Sequence, residues 1–130
     1  MATMRREVWI DGSADAVWAL VGDPAAVTRW FPGMVDVRLE GDRRVITLRS
    51  GLPLEEEVVT VRPDLRRFQY RLLGPLPVQH HLASVDVIPD GDGRCVVVYS
   101  TDVEPSALVY ILDGAVGEAL ESLKHVVEAG

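Results

Sequence analysis

Hydrophobic periodicity divides the chain into four stretches. Residues 4–10 alternate in part, Val8 and Ile10 on one side and Glu7 and Trp9 on the other, which predicts a strand. Ser13 then offers an N-cap to a short helix, Ala14 to Val21, whose Val17, Trp18, Leu20 and Val21 form one face; Gly22 suits its C-terminal end. Asp23-Pro24 starts a second short helix carrying Val27, Trp30 and Phe31 and stopping before Pro32-Gly33. From residue 34 the period is two. Val35, Val37 and Leu39 alternate with Asp36, Arg38 and Glu40, and beyond Gly41-Asp42, Ile46 and Leu48 share a face with Arg44. After Gly51-Leu52-Pro53, Val59 and Val61 are expected on one face with Glu55 and Glu57; after Pro63-Asp64, Phe68, Tyr70 and Leu72 alternate with Gln69 and Arg71. Gly74-Pro75-Leu76-Pro77 breaks that strand. Residues 78–88 place His81 in line with Ala83, Val85 and Val87, and Asp90-Gly91-Asp92-Gly93 signals a hairpin into a last strand aligning Cys95, Val97, Tyr99, Thr101 and Val103.

Helical spacing returns after Glu104-Pro105. Ser106 is placed to cap a helix running to about Glu128, with Leu108, Leu112, Ala115, Val116, Ala119, Leu120, Leu123 and Val127 as its apolar stripe. At about 1.5 Å per residue it would span roughly 35 Å, enough to cross a sheet. Gly114 and Gly117 fall opposite the stripe with Tyr110, either as tolerated defects on a solvated face or as a hinge or homodimer contact. The predicted architecture is one α+β domain, residues 1–130: a curved antiparallel sheet of seven strands gripping a long C-terminal helix, with two short helices after the first strand. A strongly curved sheet around a single helix leaves a gap between them, the natural place for an apolar ligand.

Charge narrows the partners. Thirteen Lys and Arg against 20 Asp and Glu give a net charge of −7, which argues against phosphate-backbone binding, so no nucleic acid partner is expected. The longest apolar run, Ala107 to Leu112, is too short to span a bilayer. Cys95 is the only cysteine, which suits a reducing, cytoplasmic setting.

Strand parity aims several polar side chains inward: Arg44, Glu57, Tyr70, His81, Tyr99 and Thr101. Arg44 and Glu57, on consecutive strands, are expected either to pair or to reach water at strand ends. Tyr70 and Tyr99 read as ligand contacts or as core aromatics with a hydroxyl at the edge. His81 is the candidate catalytic group, a general acid/base or carbonyl-orienting residue, with a satisfied core imidazole as the alternative. His80 alternates to the opposite face and His125 falls on the polar side of the last helix, so a metal site is not expected. No glycine-rich phosphate loop is present, and no cofactor is implied. Trp30, at the break between helix and sheet, is expected at the pocket mouth.

The order of elements, with Ser13-Ala-Asp-Ala-Val-Trp18, the Trp30-Phe31-Pro32 turn, Glu57 on an alternating strand, and Tyr70 followed by Gly74-Pro75-Leu76-Pro77-Val78, resembles the START-related (SRPBCC) superfamily. That superfamily includes polyketide cyclases, lipid-transfer proteins and birch-pollen-allergen-like proteins. The resemblance spans Met4 to Glu128 and implies the helix-grip fold. It also implies a hydrophobic or aromatic small-molecule ligand in an internal cavity (polyketide-, lipid- or isoprenoid-like). A cyclase/dehydratase-like enzyme using the same cavity is the alternative, and a protein-interaction module a third. Where His81 stands an aromatic is common in such proteins; Tyr99 and Val103 replace a usual Trp and Phe.

Overall fold

The computed structural model describes residues 1–130. Seven strands form one sheet: β1 (Ala2–Ile10), β2 (Met34–Glu40), β3 (Arg43–Leu48), β4 (Pro53–Arg62), β5 (Arg67–Gly74), β6 (His80–Pro89) and β7 (Cys95–Glu104). Their spatial order is β1-β7-β6-β5-β4-β3-β2, with every neighbouring pair antiparallel. The hairpins supply all the pairings but one; the last strand returns to cover β1.

Helix α1 (Ala14–Val21) and a 3₁₀ helix (Pro24–Arg29) follow β1, as the pattern predicts. The Ser13 hydroxyl accepts from the Ala16 amide at 3.1 Å, and the Asp23 carboxylate accepts from the Ala25 amide at 3.0 Å. Gly22 ends α1 for a different reason than expected. Its φ is −80°, open to any residue, but a Cβ there would lie 2.4 Å from the Trp18 indole, which covers the helix end.

The long C-terminal helix, α2 (Val109–Ala129), begins a 3₁₀ turn later than predicted. Ser106–Leu108 form a 3₁₀ turn, and the Ser106 side chain caps nothing. Val116, Ala119, Leu120 and Leu123 are buried against the sheet, chiefly against β1 and β7. A bidentate ion pair, Arg6 Nε and Nη2 to the Asp113 carboxylate at 2.9 and 2.8 Å, holds the first half of the helix to β1. Arg6 also passes beside Gly117, where a Cβ would lie 3.0 Å from its guanidinium; Gly114 faces open space. The two glycines are therefore not equivalent positions on one bare face.

Three register shifts interrupt the alternation; one, between Glu55 and Glu56, leaves Leu73 of β5 as the additional residue. Between β2 and β3 the register shifts at Val35, which is left exposed while Met34 and Val37 pack inward. Between β4 and β5, Val58 pairs with Tyr70 but Thr60 pairs with Gln69, so Val59 is the additional residue. Counting back by twos from Val61, which is opposite Phe68, lands on Glu57; past the bulge the inward positions are Val58, Glu56 and Leu54. Glu57 therefore points to the outer face, and not inward as strand parity alone predicts. Bulges also bend a sheet, and these lie in the half of the sheet against which α2 does not pack directly. There the cavity separates the sheet from the start of the helix.

Candidate functional site

A cavity of about 500 Å³ lies between the sheet and the start of α2. Its floor is β3, β4 and β5, through Leu48, Leu54, Tyr70 and Leu72; Phe31–Met34 form one wall and Ile111, Leu112 and Ala115 the other. Part of the helix stripe expected to fill the core thus faces open space instead. Leu76, from the segment joining β5 and β6, stands beside the α2 residues, and Arg49 and Ser50 lie at the rim.

Of the residues singled out in the sequence, His81 and Tyr70 line this cavity. Trp30 does not reach the mouth. It is 6% exposed, packed behind Phe31 with ring centroids 5.7 Å apart, and its indole Nε1 is the one buried side-chain polar atom without a protein partner. Phe31 takes the position at the cavity wall that was expected of Trp30. Tyr99 is buried one layer deeper, its hydroxyl hydrogen-bonded to that of Tyr70. Burial raises both phenol pKa values, so both remain protonated at neutral pH.

Of the two alternatives for Arg44, the structure has the buried, paired one, with a different partner. Its Nε and Nη2 both donate to Oε1 of Glu56, at 3.0 and 2.6 Å, and its Nη1 donates to the Pro24 carbonyl at 3.1 Å. The guanidinium also lies over the Phe68 and Tyr70 rings, 5.3 and 5.4 Å from their centroids. Arg44 therefore ties β3 and β4 to the 3₁₀ helix and is not among the residues that line the cavity. Glu57 lies on the outer face, where it accepts from Arg71 Nη1 at 2.6 Å. Glu56, missed in the sequence, is the cavity carboxylate. A signal for it was present: Leu54 and Val58 flank it at the strand period, with apolar side chains on the same face.

His81 is 2% exposed, and its role is in part structural. The β5–β6 ladder ends at the pair Tyr70–Ala83, beyond which the strands part. There the His81 Nδ1 takes the place of a backbone acceptor, receiving the Leu72 amide at 2.9 Å. Burial, then the nearby charges of His80 and Arg71, lowers its pKa from 6.5 to about 4, so the ring is neutral near pH 7. With Nδ1 accepting, the proton resides on Nε2. That nitrogen makes no hydrogen bond within the protein and is not sealed from the cavity. His80, by contrast, points outward, as alternation requires.

Residues 1–128 match the family described as polyketide cyclase/dehydrase and lipid transport, and the chain belongs to that family. Three solved structures share its fold. XoxI from Bacillus cereus is 21% identical with a TM-score of 0.91, over 98% of this chain and 96% of its own. The di-domain ARO/CYC BexL of the BE-7585A biosynthetic pathway is 24% identical with a TM-score of 0.84, over 98% of this chain and 47% of its own. A START superfamily protein from Mycobacterium smegmatis is 18% identical with a TM-score of 0.80, over 98% of this chain and 97% of its own. No curated protein matches the chain. No helix is long and apolar enough to cross a membrane.

Proposed function

We propose that the protein binds a neutral, largely apolar small molecule, polyketide-like or aromatic, in the cavity between the sheet and the start of α2. The cavity itself carries this reading: about 500 Å³ of mostly apolar wall, within the range of small-molecule sites, in a family that includes cyclases and lipid carriers. Tyr70 and His81 face the space, and Tyr99 and Trp30 stand behind it, so the informative aromatics serve an interior site and not an outer patch. Native mass spectrometry of freshly purified protein tests the reading directly. A co-purifying molecule that saturating hydrophobic dye displaces supports it; a protein that takes up no hydrophobic dye contradicts it.

One observation favours a second reading, a cyclase/dehydratase-like enzyme. A neutral imidazole with its Nε2–H facing an apolar space is placed to polarise a ligand carbonyl. In such an enzyme His81 would act on the reacting molecule, and the apolar walls would hold it folded and dry. Turnover of a poly-β-ketone substrate that fails in His81→Phe distinguishes catalysis from carriage.

A further inference from the structure

Glu56 has one oxygen more than the protein uses. Both Arg44 contacts go to Oε1, and Oε2 receives no hydrogen bond. The side chain is 3% exposed, yet Oε2 is not among the sealed unpartnered atoms, and Glu56 borders the cavity. A buried carboxylate oxygen without a donor is costly, and a ligand that brings one recovers the loss. The charge of that donor is constrained as well. Arg44 already neutralises Glu56, so a cation in the cavity would add an uncompensated charge to an apolar enclosure.

His81 supplies the complement. Glu56 pairs with Leu72 across the β4–β5 ladder, and His81 holds the Leu72 amide from the other side. Acceptor and donor therefore flank one residue of β5 and border one cavity. Glu56 stands one strand spacing, about 4.8 Å, from Leu72, and the His81 ring bonds to Leu72 directly, so the two groups lie within roughly 10 Å of each other. Resting on the reading that the cavity takes a neutral apolar molecule, we propose that Glu56 Oε2 and His81 Nε2–H form a two-point site. The site selects ligands carrying a hydroxyl group for Glu56 and, several bonds away, a carbonyl for His81. The ligand class is a hydroxylated aromatic ketone or an equivalent oxygenated polyketide fragment, as distinct from a hydrocarbon lipid or a carboxylic acid.

Two fluorescent naphthalenes test this at neutral pH: an acetylnaphthol with its two groups at opposite ends of the ring system, and the acetylnaphthalene that lacks the hydroxyl. A hydrogen bond to a charged group discriminates by about tenfold or more, and the wild-type protein should prefer the naphthol by that factor. The paired replacement Arg44→Met with Glu56→Leu removes the acceptor without stranding a charge, and should bring the two affinities within about twofold of each other. His81→Phe should weaken both compounds about tenfold and leave their ratio intact. Equal affinities in the wild-type protein, a comparison that needs no variant, overturn the two-point site while leaving the cavity reading in place. A preference that survives the paired replacement overturns it too. Failure of both compounds to bind overturns the site and the cavity reading together.

Discussion

The depressed pKa of His81 makes a quantitative prediction about stability. Its folded-state value of about 4 lies below the unfolded value of 6.5. The neutral ring is therefore favoured in the fold, and the associated stability is fully present above pH 6.5. It is lost as the pH falls from 6.5 towards 4, because the unfolded chain takes up the proton first. Each pKa unit is worth about 1.4 kcal/mol, so between pH 7 and about pH 4.5 the wild-type protein should lose roughly 2.5 kcal/mol through this one residue. His81→Phe cannot lose it. That variant instead strands the Leu72 amide, at a cost of about 1–3 kcal/mol independent of pH. The variant should thus be clearly less stable at neutral pH and should approach or match the wild type in acid. Urea unfolding at both pH values, with the two proteins compared pairwise, cancels the carboxylates common to both. Parallel pH dependence in the two proteins would refute the reasoning, as would an NMR titration placing His81 near its ordinary value.

Other perturbations separate the roles of neighbouring residues. Arg44→Met alone leaves Glu56 buried without its partner and should cost about 3–5 kcal/mol in urea unfolding, most of which the added Glu56→Leu restores; equal losses in the single and double variants would mean the pair is independently stabilising. Gly114→Ala should raise stability by about 1 kcal/mol, since its Cβ meets open space. Gly117→Ala should gain less, because its Cβ crowds the Arg6 guanidinium; a shift in mass on size exclusion with either variant would reveal an interface at Tyr110 instead. Trp30→Ala should cost about 3–5 kcal/mol in thermal unfolding, as for a core aromatic. Phe31→Ala should weaken dye binding more than it weakens the fold, and the reverse pattern would return Trp30 to the cavity mouth.

The parts of the fold legible in the sequence are those where period and pairing agree. Strands β6 and β7 pair without a register shift from His80–Glu104 to Pro89–Cys95, so simple alternation places His81, Ala83, Val85 and Val87 inward and His80 outward. Alternation fails in β2 and β4, where Val35 and Val59 are additional residues opposite a shorter partner strand. A bulge is a property of two strands in register, and neither strand's own pattern announces it. In β4 the ambiguity was sharpened by Glu55-Glu56-Glu57, three identical side chains with no contrast to fix the phase; only Leu54 and Val58 on either side could have chosen Glu56. The exchange of Trp30 for Phe31 has a similar origin. The 3₁₀ helix ends at Arg29, and which of two adjacent aromatics turns inward depends on the angle at which the chain leaves it.

The polar pair in the cavity also bears on what the protein would refuse. A hydrocarbon ligand filling the space would cover Glu56 Oε2 and His81 Nε2–H without bonding to either. At about 1–3 kcal/mol for each stranded group, the loss is roughly 2–6 kcal/mol. At about 25 cal/mol per Å² this cancels the burial of roughly 80–240 Å² of apolar surface, a large share of what a molecule of this size brings. A cavity serving only as a lipid carrier would gain affinity from Leu or Phe at both positions. Arg44 adds to the case, since it is held by Pro24 and stacked against Phe68 and Tyr70 and thereby fixes the Glu56 carboxylate in an apolar wall. Buried ion pairs contribute little net stability compared with apolar replacements. The more economical account of this one is that it aims an acceptor at an oxygenated ligand.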